Sequence, residues 1–183
     1  MNQQQLNEEI RDFVRSNKIP NPINVTFTQK QKVVGEGMFN ITDKNGNRVC
    51  QYLKFNKHID DVSSEQNFRH FKNKLNTKLF GNGYRRYNKQ LQMLVVREVS
   101  NRRHHLHCII EQPQRIGFEK FTHLIEEVWK STDFGYEEIH IEKPSSQQRE
   151  DGWLNYIMKD RTKVNLSTSV DWINSSILNH WWL

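Results

Sequence analysis

His105 and His107 stand two residues apart in the run His104-His105-Leu106-His107-Cys108-Ile109-Ile110. Side chains alternate across a β-strand, so Leu106, Cys108 and Ile110 share one face while His105 and His107 share the other. The first face suits a core, and Cys108 turns into it. The second presents two imidazoles within reach of one metal ion. The plainer alternative is a pair of half-buried histidines. Glu98 bears on the choice. If Ser100 to Arg103 form a turn of even length, Val99 pairs with His104 and Glu98 with His105, and directly paired residues point to one face. Two imidazoles and a carboxylate with open positions form the donor set of a catalytic metal site rather than a closed structural one. Otherwise Glu98 is a rim ion pair with Arg97 or Arg102, of little energetic weight.

The second constellation is Tyr156-Ile157-Met158-Lys159. On a helix Tyr156 and Lys159 share a face, with Gly152 and Arg149 behind them. Trp153, Leu154, Ile157 and Met158 supply the packing side. The spacing alone is common in proteins; its weight comes from its place, on a helix that follows the histidine strand.

Charge points toward a nucleic-acid partner. Lys and Arg number 27 against 21 Asp and Glu, a formal +6. From Arg69 to Arg103 the chain carries ten basic side chains and one acid, Glu98, with Phe68, Phe71, Phe80, Tyr84 and Tyr87 among or beside them. Basic side chains neutralise phosphates and aromatic faces stack on unpaired bases. Arg69, Lys72, Lys74, Arg85, Arg86, Lys89, Arg102 and Arg103 are the candidate DNA contacts, with Arg149 from the tyrosine helix. A solvated basic face is the alternative.

The elements that must position these residues read as follows. Residues 3–16 form an amphipathic helix with Leu6, Ile10, Phe13 and Val14 on one side. A strand runs from Ile23 to Lys30. Residues 31–62 are the least legible part, with a hairpin around Asn45-Gly46. A helix starts near Ser63 and ends at Gly81, carrying Phe68, Phe71, Leu75 and Leu79. A loop with Gly83, Arg85 and Arg86 leads to strands over 91–99 and 104–112. A helix over 118–130, a strand over 136–142 and a helix from about 146 to 159 follow. The polar tail ends in Ile177, Leu178, Trp181 and Trp182 and is expected to pack back. The expected fold is α+β: an antiparallel sheet with a ferredoxin-like βαββαβ core and a nucleophile-bearing helix on the open face.

The 183 residues fit one domain. Ten Phe, five Tyr and five Trp argue against disorder. No apolar run is long enough to span a membrane, and MNQQQLNEEI lacks the features of a secretory signal. Cys50 and Cys108 are too few for a disulfide framework, so a reducing cytoplasm is the expected home.

Glu98, His105-Leu106-His107 and Tyr156-x-x-Lys159, in that order, resemble the HUH endonuclease superfamily. The closest likeness is to the single-tyrosine rolling-circle replication initiators of plasmids and viruses. Val25-Thr26-Phe27-Thr28 resembles that family's first motif and is read as structural. Together the motifs span about residues 23–160. The resemblance implies a site-specific nickase and strand transferase acting through a 5′-phosphotyrosine on Tyr156, with Lys159 beside it. It implies Mg²⁺ or Mn²⁺ held by His105, His107 and Glu98. The implied partners are single-stranded or hairpin origin DNA, a host helicase and polymerase, and a second protomer, since one tyrosine does not perform both transfers in one turn. No GxxxxGK[ST] motif is present, so a single endonuclease domain without a helicase is expected. The alternatives are a single-tyrosine transposase or relaxase, a non-catalytic nucleic-acid-binding module, and a metal nuclease that uses water.

Overall fold

In the computed structural model, residues 2–100, 103–159 and 165–177 are described, without the side chains of Val99 and Ser100. Arg102, Leu178, Trp181 and Trp182 lie outside the described residues. The fold is α+β. A four-stranded antiparallel sheet is built from β1 (Pro22–Gln29), β4 (Met93–Ser100), β5 (Arg103–Glu111) and β6 (Gly135–Glu142). Its strand order is β4-β5-β1-β6. A separate two-stranded ribbon, β2 (Lys32–Thr42) with β3 (Arg48–His58), is inserted between β1 and α2 (Asp61–Phe80).

The pleat sends alternate residues to opposite layers. Ile23, Val25, Phe27, Met93, Val95, Leu106, Cys108 and Ile110 are buried beneath α2 and α4 (Phe118–Lys130). Phe27 meets Trp129 at 4.4 Å and Phe71 at 4.9 Å between ring centres. The Trp129 Nε1 donates to the Thr28 carbonyl at 3.3 Å, which satisfies the buried indole. Behind Trp129 the chain turns so tightly that a Cβ at Gly135 would lie 1.9 Å from the Trp129 carbonyl oxygen. Only glycine fits there, and β6 starts at that point.

Helices lie on both faces of the sheet, not on one face with a single spare helix. The second layer contains α1 (Gln3–Ser16), α5 (Gln147–Ile157) and the short α6 (Leu166–Ser169). Ile10, Val14, Leu94, Val96, Ile157, Met158 and Leu166 form its core. Asn2 and Gln5 close a reciprocal capping box at the start of α1. Arg11, buried on α1, donates to the Met158 carbonyl at 3.1 Å and so ties α1 to the end of α5.

Several boundaries differ from expectation. The long helix α2 begins at Asp61 because Asp60, not Ser63, caps it, its carboxylate accepting from the Ser63 amide at 2.7 Å. The stretch holding Arg85 and Arg86 is a short helix, α3 (Asn82–Tyr87). The hairpin expected around Asn45-Gly46 is present: residues 32–58 form a ribbon turned at Asp43–Asn47, where Asp43 accepts from the Asn45 and Asn47 amides at 2.8 Å. The tail packs back as far as Ile177. Asp171 and Ser176 amides donate to the Val95 and Met93 carbonyls, covering the outer edge of β4. Among the described residues no helix is long and apolar enough to cross a membrane.

Lys72 is a correction. Instead of facing solvent as a DNA contact it is buried, its ammonium donating to the Asn174 carbonyl at 2.9 Å. Burial pushes it down from 10.5 to about 8, against the raising effect of Asp171. Below about pH 8 both folded and unfolded chains carry this proton, and the buried charge is a net cost. Between about 8 and 10.5 the folded chain sheds it first, so the unfolded chain binds more protons and stability rises with pH. Urea unfolding at a series of pH values is therefore expected to show this rise in the wild type. Lys72→Met should flatten it, and parallel curves for the two proteins would contradict the assignment.

Candidate metal and nucleophile site

Strand pairing assembles the site. Glu98 on β4 pairs with His105 on β5, as Val99 does with His104. On the other side of β5, β1 sets Thr26 opposite His107 and Thr28 opposite His105. Beyond β1, β6 sets His140 opposite Thr26 and Glu142 opposite Asn24. Glu98, His105, His107, Thr26, Thr28, Asn24, His140 and Glu142 share the face away from α2 and α4, because their neighbours Leu106, Cys108, Val25 and Phe27 fill the core behind them.

Glu98 lies in register with His105 but bonds diagonally to His107, its Oε2 2.7 Å from Nε2. An ionised carboxylate only accepts, so its presence assigns the proton to Nε2. The Thr26 hydroxyl lies 3.0 Å from Nδ1 of the same ring and donates to it. The His105 Nδ1 lies 3.4 Å from the Thr28 hydroxyl. Each histidine is thus held at Nδ1 by a threonine of β1, leaving Nε2 as the atom turned toward the site. His104 points to the opposite layer, 3.9 Å from Asp61.

Helix α5 crosses this face. Ser146 caps it, accepting from the Arg149 amide. Ile157 and Met158 anchor it in the second core. Tyr156 is 46% exposed, yet its ring centre is 5.7 Å from that of His107 and nearly perpendicular to it. Trp153 lies 5.8 Å from His107 and 5.6 Å from Tyr156, forming a three-ring cluster. Lys159 falls after the helix ends at Ile157, so it does not share a helical face with Tyr156. The turn nonetheless brings its Nζ to 4.1 Å above the Tyr156 ring centre. Beside Tyr156 an open groove is lined by Asn24, Glu142, Arg149, Gly152 and Trp153, with Arg149 paired to Glu142 at 3.2 Å.

The structure brings together Glu98, His105, His107, Tyr156 and Lys159. Among the described residues no three His, Cys, Asp or Glu side chains are already arranged around one point as a metal cage. The donor types nevertheless fit a divalent cation: Glu98, His105 and His107, the last after its proton moves from Nε2 to Nδ1, where the Thr26 hydroxyl would accept it, so that a cation replaces the Nε2–H bond to Glu98.

The basic stretch is separated from this site. Arg69, Lys74, Arg85, Arg86 and Lys89 belong to the α2–α3 layer on the far side of the sheet, because Phe68, Phe71, Leu75 and Leu79 cover the apolar face of β5. Arg69 pairs with Glu65 at 2.5 Å. Lys74 donates to the Ser131 carbonyl, and Lys89 lies over the Phe80 ring. Of the candidate DNA contacts, Arg149 and Arg103 are on the histidine side of the sheet, the latter 3.7 Å from Glu138. Sequence reasoning missed Thr26 and Thr28 as positioning residues. Their alternation with Val25 and Phe27 was legible, but the pairing of β1 with β5 was not. No family model, curated protein or solved structure matches the chain.

Thr26→Val should leave the fold intact, at a cost of about 1 kcal/mol for the lost hydrogen bond. It should shift the ring ¹⁵N resonances of His107, whereas Thr28→Val should shift those of His105. Histidine spectra identical to wild type would show that the hydroxyls do not hold the rings.

Proposed function

We propose that the chain is a metal-dependent nickase and strand-joining enzyme for single-stranded DNA, working through a 5′-phosphotyrosine on Tyr156. The observation that carries this reading is an exposed phenol 5.7 Å, ring to ring, from a histidine bonded to a carboxylate. A tyrosine that merely packed would be buried with Ile157. The strand order, with α2 and α4 on one face, supports a ferredoxin-like core of β1, α2, β4, β5, α4 and β6. The tyrosine helix lies on the other face, as the HUH resemblance implies.

His105, His107 and Glu98 would hold Mg²⁺ or Mn²⁺, and a bound cation would polarise the scissile phosphate. Tyr156 supplies the nucleophile. Its phenol loses a proton, the oxygen attacks phosphorus, and the bond to the 3′ oxygen breaks. The 3′ oxygen takes up a proton and leaves as a free 3′-OH, while the phosphate remains esterified to tyrosine. Reversal by a 3′-OH rejoins the strand, so the bond energy is conserved and no nucleotide cofactor is consumed. Lys159 contributes positive charge above the ring, where it can meet a phosphate oxygen. Thr26 and Thr28 fix the imidazoles, which lowers the reorganisation needed at the reacting phosphate.

Initiation of rolling-circle replication on cytoplasmic origin DNA, with a host helicase and polymerase, is the setting in which this chemistry is most useful. A second protomer would supply the nucleophile for the terminating transfer. A transposase or relaxase would share the chemical steps and differ in the DNA it selects.

Incubation with Mn²⁺ and 3′-end-labelled single strands carrying candidate origins is expected to leave label on the protein after denaturing electrophoresis. Tyr156→Phe should abolish the adduct, and Lys159→Ala should slow its formation roughly 10²-fold, as for loss of one charge-stabilising group. Cleavage that persists in Tyr156→Phe would mean that water is the nucleophile. Binding without cleavage, for every origin tried, would mean a non-catalytic module.

A further inference from the structure

The β2–β3 ribbon leaves the body of the domain and packs chiefly on itself. Both faces carry exposed apolar side chains, Val34, Met38 and Tyr52 on one, but only the other pairs two phenylalanine rings. That other face, set by the pairing of β2 with β3, carries Val33, Phe39, Ile41, Val49, Leu53 and Phe55. Phe39 and Phe55 are 39% and 41% exposed and meet edge to face at 5.4 Å. Gly35 lies directly beneath Phe55, where a Cβ would come 2.6 Å from the ring, so the ring rests against the strand backbone and stays 41% exposed. Such an apolar strip on an isolated ribbon calls for a partner.

The charges say which partner. Between Lys32 and His58 the ribbon has five basic residues and two acids. Both acids are engaged within it. Glu36 accepts from the Tyr52 hydroxyl at 2.5 Å and pairs with Lys54 at 3.1 Å, which holds its carboxyl below the usual range. Asp43 is taken up by its own turn. Lys32, Lys44 and Arg48 have no ion-pair partner among the described residues, and neither does Lys30 at the root. A groove at that root is lined by Lys30, Lys32 and Lys57 together with Phe55, and Asp133 is its other acid besides Glu36.

The root also adjoins the site. Lys30 is two residues after Thr28, which pairs with His105. A strand leaving the histidine face in that direction meets the lysines first and the exposed rings next. Duplex DNA presents phosphates and polar groove edges, whereas unpaired bases present faces on which aromatic rings stack. A second copy of the chain is a poorer fit. A two-stranded ribbon of eleven-residue strands offers a face of about 36 by 10 Å, under half of the roughly 800 Å² per partner that a stable interface buries. Two such ribbons would also oppose like charges.

We propose that the β2–β3 ribbon is an arm that grips single-stranded nucleic acid beside the histidine–tyrosine site, with Lys30, Lys32 and Lys57 on the backbone and Phe39 and Phe55 against the bases. This rests on the proposed function for its geometry, but binding is testable without strand transfer. Fluorescence anisotropy in EDTA, on a Tyr156→Phe background, would compare a labelled oligothymidylate long enough to span site and arm with a duplex of equal length. Two arm variants would be added to that background: Lys30→Glu/Lys32→Glu/Lys57→Glu, and Phe39→Ser. For the long single strand, the triple variant should bind at least about tenfold more weakly, with a shallower salt dependence. Phe39→Ser should weaken binding with the salt dependence unchanged. Thermal unfolding of each variant would verify that the two cores are intact.

Equal single-strand affinity for background and variant proteins would overturn the proposal. So would a preference for the duplex, or sedimentation as a dimer that Phe39→Ser dissolves. If the arm binds but no tyrosine adduct ever forms, the catalytic reading fails and the arm stands. If the adduct forms and the arm variants bind as well as the background, the arm fails and the catalytic reading stands.

Discussion

The site depends on one constraint: the register of three adjacent antiparallel strands. With Thr26 opposite His107, Thr28 opposite His105 and Glu98 opposite His105, every polar side chain of the site lands on one face. A slip of one residue in β5 would carry both histidines into the phenylalanine core and turn Leu106 and Cys108 to the site. That alternative buries imidazoles without partners and exposes apolar surface, so the core on one face enforces the chemistry on the other. Trp129, Phe27 and Phe71 are in this sense part of the site, though their rings lie behind the sheet.

The second layer explains why the site is open at one place and closed elsewhere. α1, α6 and the following segment cover the sheet where Leu94 and Val96 project. Val96, paired with His107, marks the edge of the covered part, whereas the partners of His105 across the strands are Glu98 and Thr28, which recruit no covering helix. α5 bridges the two regimes. Ile157 and Met158 are anchored in the closed part, and Tyr156, one residue earlier, is left at the border of the open part. The Arg11 bond to the Met158 carbonyl fixes the end of that helix against α1. A side chain placed in this way is exposed without being loosely held.

Much of this was legible in the sequence because it rests on local periodicity. Strand alternation separated His105 and His107 from Cys108, and turn length put Glu98 beside them. Helical spacing marked Phe68, Phe71, Leu75 and Leu79 as one stripe. What was not legible is non-local. Lys72 follows Phe71 in a basic run, and nothing nearby tells it apart from Lys74; only the returning tail, with Asn174 and Asp171, buries it. The separation of the basic stretch from the histidines likewise follows from which face α2 covers. The ribbon was obscure for another reason. Its strands are exposed on both sides, so the usual contrast between buried and solvated positions is weak, and Gly35 and Gly37 interrupt the pattern.

The proposed strand transfer would require a cation held by His105 and His107 near the Tyr156 ring. Titration of the ring-labelled protein with Mn²⁺, followed by NMR, measures that directly through paramagnetic broadening. The His105, His107 and Tyr156 ring signals should disappear together at the same Mn²⁺ concentration, and His107→Ala should weaken the effect on His105 and Tyr156. Broadening of the two histidines that leaves Tyr156 sharp, or broadening centred on the His123 or His70 signals instead, would contradict a shared metal and nucleophile site.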